Sequence, residues 1–171
     1  MRLFQSIIPA SVLMALLTAC GGGESNVESG NRDGFLHYGN GAEPQGLDPH
    51  VVTGVPENHI IRALFEGLAV KNPMTLEPEP GVAERWDISD DGTVYTFYIN
   101  PEAKWSNGEP MTASDYVWSW NRALHPDTGS LYAYMLYPIV NSEAYSKREI
   151  TDFEQVGVKA LDDLTLQVTL N

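Results

Sequence analysis

The side chains able to do chemistry in this chain are few and scattered along its 171 residues. Four histidines, His37, His50, His59 and His125, could act as bases or metal ligands, but they share no ligand spacing. Each reads as an exposed or hydrogen-bonded structural histidine, and His125, before Pro126, as a helix-end residue favoured by the helix dipole. Carboxylates adjoin at Asp90-Asp91 and Asp162-Asp163, where acid–base chemistry would need them in a cleft. Both pairs fall in predicted turns, where Asp is favoured for backbone reasons alone. Asp87-x-Ser89-x-Asp91-Gly92 opens like a calcium loop, yet its twelfth position is Tyr98, where a bidentate Glu is needed. Gly39-Asn40-Gly41 invites a dinucleotide-loop reading that fails because the third glycine falls on Pro44. There is no G-x-S-x-G, no H-E-x-x-H, no P-loop and no paired-cysteine site. No catalytic residue, metal ligand or cofactor is therefore assigned, and an enzyme is the least favoured class.

Charge narrows the partners. Lys and Arg number 10 against 23 Asp and Glu, a net charge of −13. Such a surface repels phosphate backbones, so no nucleic-acid partner is expected. A hydrophobic share of 43% marks a globular chain with a core, long enough for one domain. Arg2 followed by the broken apolar run Leu3–Leu17 reads as a secretory signal, too short for a membrane span. It ends Leu17-Thr18-Ala19-Cys20, which resembles the bacterial lipobox whose cysteine carries lipid, and Cys20 is the only cysteine; the alternative is an ordinary signal peptide with an incidental thiol.

The elements that must position any site follow in order. Residues 21–33 are small and polar, the composition of a flexible tether. Phe35–Gly39 is a short candidate strand. Pro56 suits the start of a helix whose apolar face is Ile60, Ile61, Leu64, Phe65 and Leu68, with Gly67 as its stop. Residues 72–81 read as an irregular connection. Trp86–Ile88 and Val94–Ile99 form a hairpin across Ser89–Gly92, its second strand covered on both faces. Asn107-Gly108 makes another tight turn, and Thr112 with Asp115 caps a helix with the stripe Tyr116, Val117, Trp120 and Leu124. Leu131–Tyr145 reads as helical with a break at Pro138. Val156–Leu161 and the alternating Leu164–Leu170 close the chain as strands, the last an exposed edge with no covering element.

The stretch from Gly81 to Arg122 resembles the family 5 solute-binding proteins of bacterial ABC importers. The resemblance rests on Trp86, Asp91-Gly92, Tyr95-Thr96-Phe97, Trp105-Ser106-Asn107-Gly108, Thr112-Ala113-Ser114-Asp115 and Trp120-Asn121-Arg122, all in fixed order. Leu47–His50, Gly54–Glu57, Leu64–Leu68 and Val158–Asp163 extend it toward the oligopeptide-binding branch. It implies an α+β fold, the N-terminal part of the first lobe of a two-lobed periplasmic-binding-protein architecture. Residues 1–19 would be a signal peptide and 20–33 a lipidated cysteine with its tether. Residues 34–171 would be the family domain, incomplete, with a cleft-forming part at 34–67 and an accessory subdomain at 68–171. Thr53, Gly54 and Val55 would offer backbone to an extended peptide, which strand-like pairing reads with little regard to side chain. Tyr132 would face the same ligand. Close relatives carry an acidic residue where this chain has Thr53, so peptide preference would differ.

The implied partners are a peptide, the permease and ATPase complex of the importer, and a membrane surface reached through lipid on Cys20, with the protein itself a monomer. Ligand capture would proceed by hinged lobe closure. These residues alone would bind peptide weakly or not at all, the charged anchors lying on a second lobe. The competing readings are nickel or a sugar as solute, or a surface lipoprotein in adhesion or sensing.

Overall fold

The computed structural model describes residues 24–171. The signal segment and Cys20 lie outside the described residues. The chain divides into two compact units, one ending at Asn40 and one from Gly41 to Asn171.

In the first unit the composition predicts a tether, and the structure instead has helix α1, Asn26–Asp33. Its ends explain it. Ser25 and Glu28 form a reciprocal capping box, and Gly34 closes the helix in the left-handed conformation at φ 74°. Phe35–Gly39 is extended without ladder pairing, so the expected strand is absent there.

The second unit opens with helix α2, Val55–Leu64, which has Pro56 in its first turn. It stops before the expected Gly67 because the next backbone is needed elsewhere. Phe65 is extended, and the carbonyls of Gly67 and Leu68 accept from the N–H groups of Gly81, Val82 and Ala83. The expected apolar face is consequently split. Leu68 is buried, while Leu64 and Phe65 are exposed. The connection at 72–81 is more regular than its prolines suggest. β1 (Ala69–Lys71) pairs antiparallel with β2 (Pro78–Pro80). The Asn72 side chain accepts from the N–H groups of Met74 and Thr75 and so builds the turn itself.

The main sheet contains β3 (Ala83–Ile88), β4 (Val94–Ile99), β5 (Val158–Asp162) and β6 (Thr165–Thr169), all antiparallel in the order β3-β4-β6-β5. The expected hairpin is present, with β3 starting three residues earlier than Trp86. Gly92 takes φ 74° in its turn, where a side chain would be strained. Asp91 locks that turn by accepting from the Ser89 hydroxyl at 2.6 Å and from both the N–H and hydroxyl of Thr93. The Ser89 bond, then those from Thr93, hold its carboxyl at about 2. Its lone pairs serve the turn, which is the physical content of the failed calcium motif.

Register sets the faces. Trp86, Phe97 and Leu166 lie directly across from one another, as do Tyr95 and Val168, and Phe97, Leu166, Tyr95 and Val168 join the core. On the other face the Arg85 guanidinium lies 3.4 Å over the Tyr98 ring, and the Tyr98 hydroxyl donates to Asp87 at 2.9 Å. Both faces of β4 are at least half covered, as its sequence predicts. The last strand corrects an expectation: β6 lies between β4 and β5, alternates half-buried with buried residues, and is no edge. Helix α3 (Ala113–Leu124) packs on β5 and β6. The Asp115 carboxylate accepts from the Thr112 N–H at 2.7 Å, fixing the helix start as the sequence predicts. Leu124 and Ile99 are fully buried with Val156 and Leu166, each such aliphatic contributing about 1.5–3 kcal/mol by leaving water.

Leu131–Tyr145 holds less helix than expected. A 3-10 turn (Ala133–Leu136) and the short helix α4 (Ser142–Ser146) flank Pro138. Between them the backbone is drawn onto the end of the sheet: Val140 N–H donates to Thr169 at 3.0 Å and Asn171 N–H to Pro138 at 2.9 Å. Among the described residues no helix is long and apolar enough to cross a membrane.

Candidate functional site

The segment from Asp48 to Val55 is built from a turn, a staple and an open run of backbone. Asp48 makes the turn. Its carboxylate accepts from the His50 N–H at 3.0 Å, and its carbonyl accepts from Val51 and Val52. The same carboxylate is gripped from α3 by the fork of Arg122, at 2.9 and 2.5 Å. That grip, with the His50 N–H second, lowers the Asp48 carboxyl to about 2, and Asp48 raises Arg122 in return.

His50 completes the staple. Its Nδ1 lies 2.6 Å from Arg122 Nη1 and its Nε2 lies 3.0 Å from Ser119 Oγ. A guanidinium can only donate, so Nδ1 must carry a lone pair and Nε2 the proton donated to Ser119. The imidazole is therefore neutral. Burial, then Arg122, lowers its proton affinity, against a smaller opposing pull from Asp48. Ser119 and Arg122 reach one ring because i and i+3 share a helix face.

Beyond the staple the backbone opens. Gly54 is extended, at φ −85° and ψ 157°, and Thr53 and Val55 are exposed. Among the described residues no hydrogen bond takes the N–H groups of Thr53, Gly54 or Val55. Glycine at 54 has a local cause. Glu57, in the first turn of α2, is buried and folds back, its Oε1 accepting from the Gln45 N–H at 2.7 Å. That bond lowers the Glu57 carboxyl. Its Oε2 has no hydrogen-bond partner and rests against Gly54, where a Cβ would lie only 1.9 Å away. The positive end of the helix dipole compensates that oxygen.

Tyr132, 79 residues away, comes to this segment. Its hydroxyl is 3.5 Å from the Thr53 carbonyl, the outer limit for a hydrogen bond, and its ring stands edge-on to Tyr134 at 6.1 Å. The hydroxyl is thus lightly held, and the ring is half exposed. The structure brings Thr53 and Tyr132 together, with Gly54 and Val55 continuous from Thr53. Two concavities among the described residues lie elsewhere, one of about 280 Å³ against Trp118 and Arg122, one of about 570 Å³ along Arg62–Lys71. Thr53–Val55 is an open ledge and not a pocket. Among the described residues no cluster of three metal-ligating side chains forms.

Sequence reasoning missed the staple. It held Asp48 and His50 in one motif segment and Arg122 in another without pairing them, and of its two alternatives for His50, exposed or hydrogen-bonded, the structure has the second. The available signal was an Arg on the α3 face opposite its apolar stripe, with no acid one turn away on the same helix to match it. The fold-back of Glu57 against Gly54 has no sequence signature.

Residues 77–171, more than half of the chain, match the model of the bacterial extracellular solute-binding proteins, family 5. The chain is 44% identical over 174 aligned positions to the periplasmic oligopeptide-binding protein OppA of Escherichia coli K12, covering 98% of this chain and 31% of that protein. It is 39% identical to the oligopeptide-binding protein OppA of Bacillus subtilis 168, covering 97% and 31%. Among solved structures it superposes on Haemophilus influenzae OppA in complex with RPPGFSPFR, with a TM-score of 0.71, 36% identity, and coverage of 77% of this chain and 26% of that one. The chain thus spans about a third of the length of the curated relatives it matches. With the sheet order, the hairpin and the capped α3 in place, the chain belongs to the bacterial extracellular solute-binding proteins of family 5.

Proposed function

We propose that this protein binds oligopeptides outside the cytoplasm and delivers them to the permease and ATPase complex of an ABC importer. The observation that carries this reading is the run of unclaimed N–H groups at Thr53–Val55 beside the exposed ring of Tyr132. An extended peptide can pair with such a backbone while its side chains vary. The named relatives are oligopeptide-binding proteins, and one was solved with a nonapeptide-like sequence in place, which supports peptide over nickel or a sugar. Binding and release need no catalytic residue, metal or cofactor, in keeping with a family of solute-binding proteins. The protein is exported through the segment 1–19, held at the envelope by lipid on Cys20, and acts as a monomer.

Calorimetric titration of the full-length protein with tetra-alanine tests this. Micromolar or tighter binding that weakens when Tyr132 becomes Ala is expected. Absence of binding to tetra-alanine and to a mixed peptide library, with binding of nickel or a sugar instead, overturns it.

A further inference from the structure

The ledge at Thr53–Val55 begins one residue after the turn that Arg122 and His50 hold against α3. Arg122 Nη1 donates to both Asp48 Oδ1, at 2.9 Å, and His50 Nδ1, at 2.6 Å. His50 Nε2 donates to Ser119 Oγ at 3.0 Å. We propose that Asp48, His50 and Arg122 are positioning residues for peptide binding, and that they hold the ledge in its binding geometry only while His50 is neutral. The inference rests on the peptide-binding reading above.

The argument is one of donors and acceptors. A proton on His50 Nδ1 would place two N–H groups and two positive charges against each other across 2.6 Å, with no acceptor between them. The charged groups facing the ring are Arg122 from α3 and Asp48 from its own turn, and Ser119 is its neutral partner. Asp48 opposes the added charge only in part, since its single negative charge is already paired with the Arg122 fork. The ring must therefore swing out. The turn that carries it, closed by the Val51 and Val52 bonds to the Asp48 carbonyl, moves with it. Thr53 is next in the chain, and its carbonyl also loses the light contact with Tyr132. Peptide affinity and His50 protonation thus oppose each other, and by linkage bound peptide makes His50 harder to protonate.

The test is tetra-alanine binding to the full-length protein at pH 7.5 and pH 5.0, with affinities corrected for the partial titration of the peptide's amino terminus, whose ordinary pKa is about 7.7–8.0. Wild-type affinity should fall by ~5-fold or more at pH 5.0, the low end of site-to-site coupling. His50→Asn, whose Oδ1 can accept where Nδ1 did, should show a flat response whatever its affinity at pH 7.5. A flat wild-type profile, or an equal slope in His50→Asn, overturns the proposal. If neither tetra-alanine nor a mixed peptide library binds at pH 7.5, the peptide reading fails on that result, and the device is decided by NMR of the free protein. There the device predicts an Nε2–H tautomer for His50 and amide shifts at Val52–Val55 that follow its titration. Amides that stay still while His50 titrates overturn it.

Discussion

The sheet with α3 and the Asp48–Val55 ledge are built on opposite plans. In the first, Leu124, Leu166, Val156 and Ile99 are fully buried, and turn acids such as Asp91 spend their lone pairs on their own loops. In the second, Thr53 and Val55 are exposed, three consecutive N–H groups have no hydrogen-bond partner among the described residues, and placement depends on a few polar contacts reaching from α3. A buried aliphatic layer is insensitive to pH and salt, whereas a half-exposed ion pair responds to both. The rigid region carries the family signature, and the staple lets a small part of that rigidity reach the ledge.

The largest expected effect breaks the scaffold and leaves the ledge chemistry untouched. Leu124→Ala should cost about 2–5 kcal/mol in urea unfolding, because the site is fully buried and leaves a cavity. Gly54→Ala should cost less, about 1–3 kcal/mol, since its Cβ must displace the Glu57 carboxylate. Adding Glu57→Ala to that variant should recover part of the loss, and a strictly additive double mutant would contradict the contact. Arg122→Ala comes next. With both partners more than a third exposed, the pair itself contributes about 1 kcal/mol to stability. Its effect on peptide affinity should exceed its effect on unfolding, which is the sharper test of a positioning role. Tyr132→Phe should leave stability unchanged within about 0.5 kcal/mol, because the hydroxyl sits at the limit of bonding range.

Acid should take the two regions apart in order. His50 is harder to protonate in the fold than its ordinary pKa of about 6.5, so below that pH the unfolded chain binds more protons and stability declines. The carboxyls of Asp48 and Asp91 are held at about 2, so their contribution is complete above the ordinary Asp value and is lost as pH falls toward 2. Hydrogen exchange should therefore show residues 48–55 loosening as pH falls below the ordinary His value while the Ser89–Gly92 turn persists.

Most of the scaffold was legible because its signals are local. Alternation in Leu164–Leu170, the Asp91-Gly92 turn and the Thr112–Asp115 cap each act within a few residues, and each appears where expected. What failed was whatever depends on a distant backbone. Gly67 did not end α2 because residues 81–83 claim the carbonyls of Gly67 and Leu68, and Leu131–Tyr145 gave up helix to the end of the sheet. The last strand read as an edge because its neighbour β5 is joined to it through a two-Asp turn and β4 lies 66 positions away in the chain, pairing that alternation alone cannot reveal. Within the candidate site, the residue types at Thr53–Val55 and Tyr132 were nameable only through the family resemblance. The staple behind them needed coordinates, since nothing in the sequence ties Asp48 to a residue 74 positions on.

Amide hydrogen exchange on the full-length protein, with and without saturating tetra-alanine, tests the central claim most directly. The account predicts that peptide protects the amides of Thr53, Gly54 and Val55 while those of β4 and β6 keep their rates. Unchanged exchange at all three ledge amides with peptide bound would contradict it.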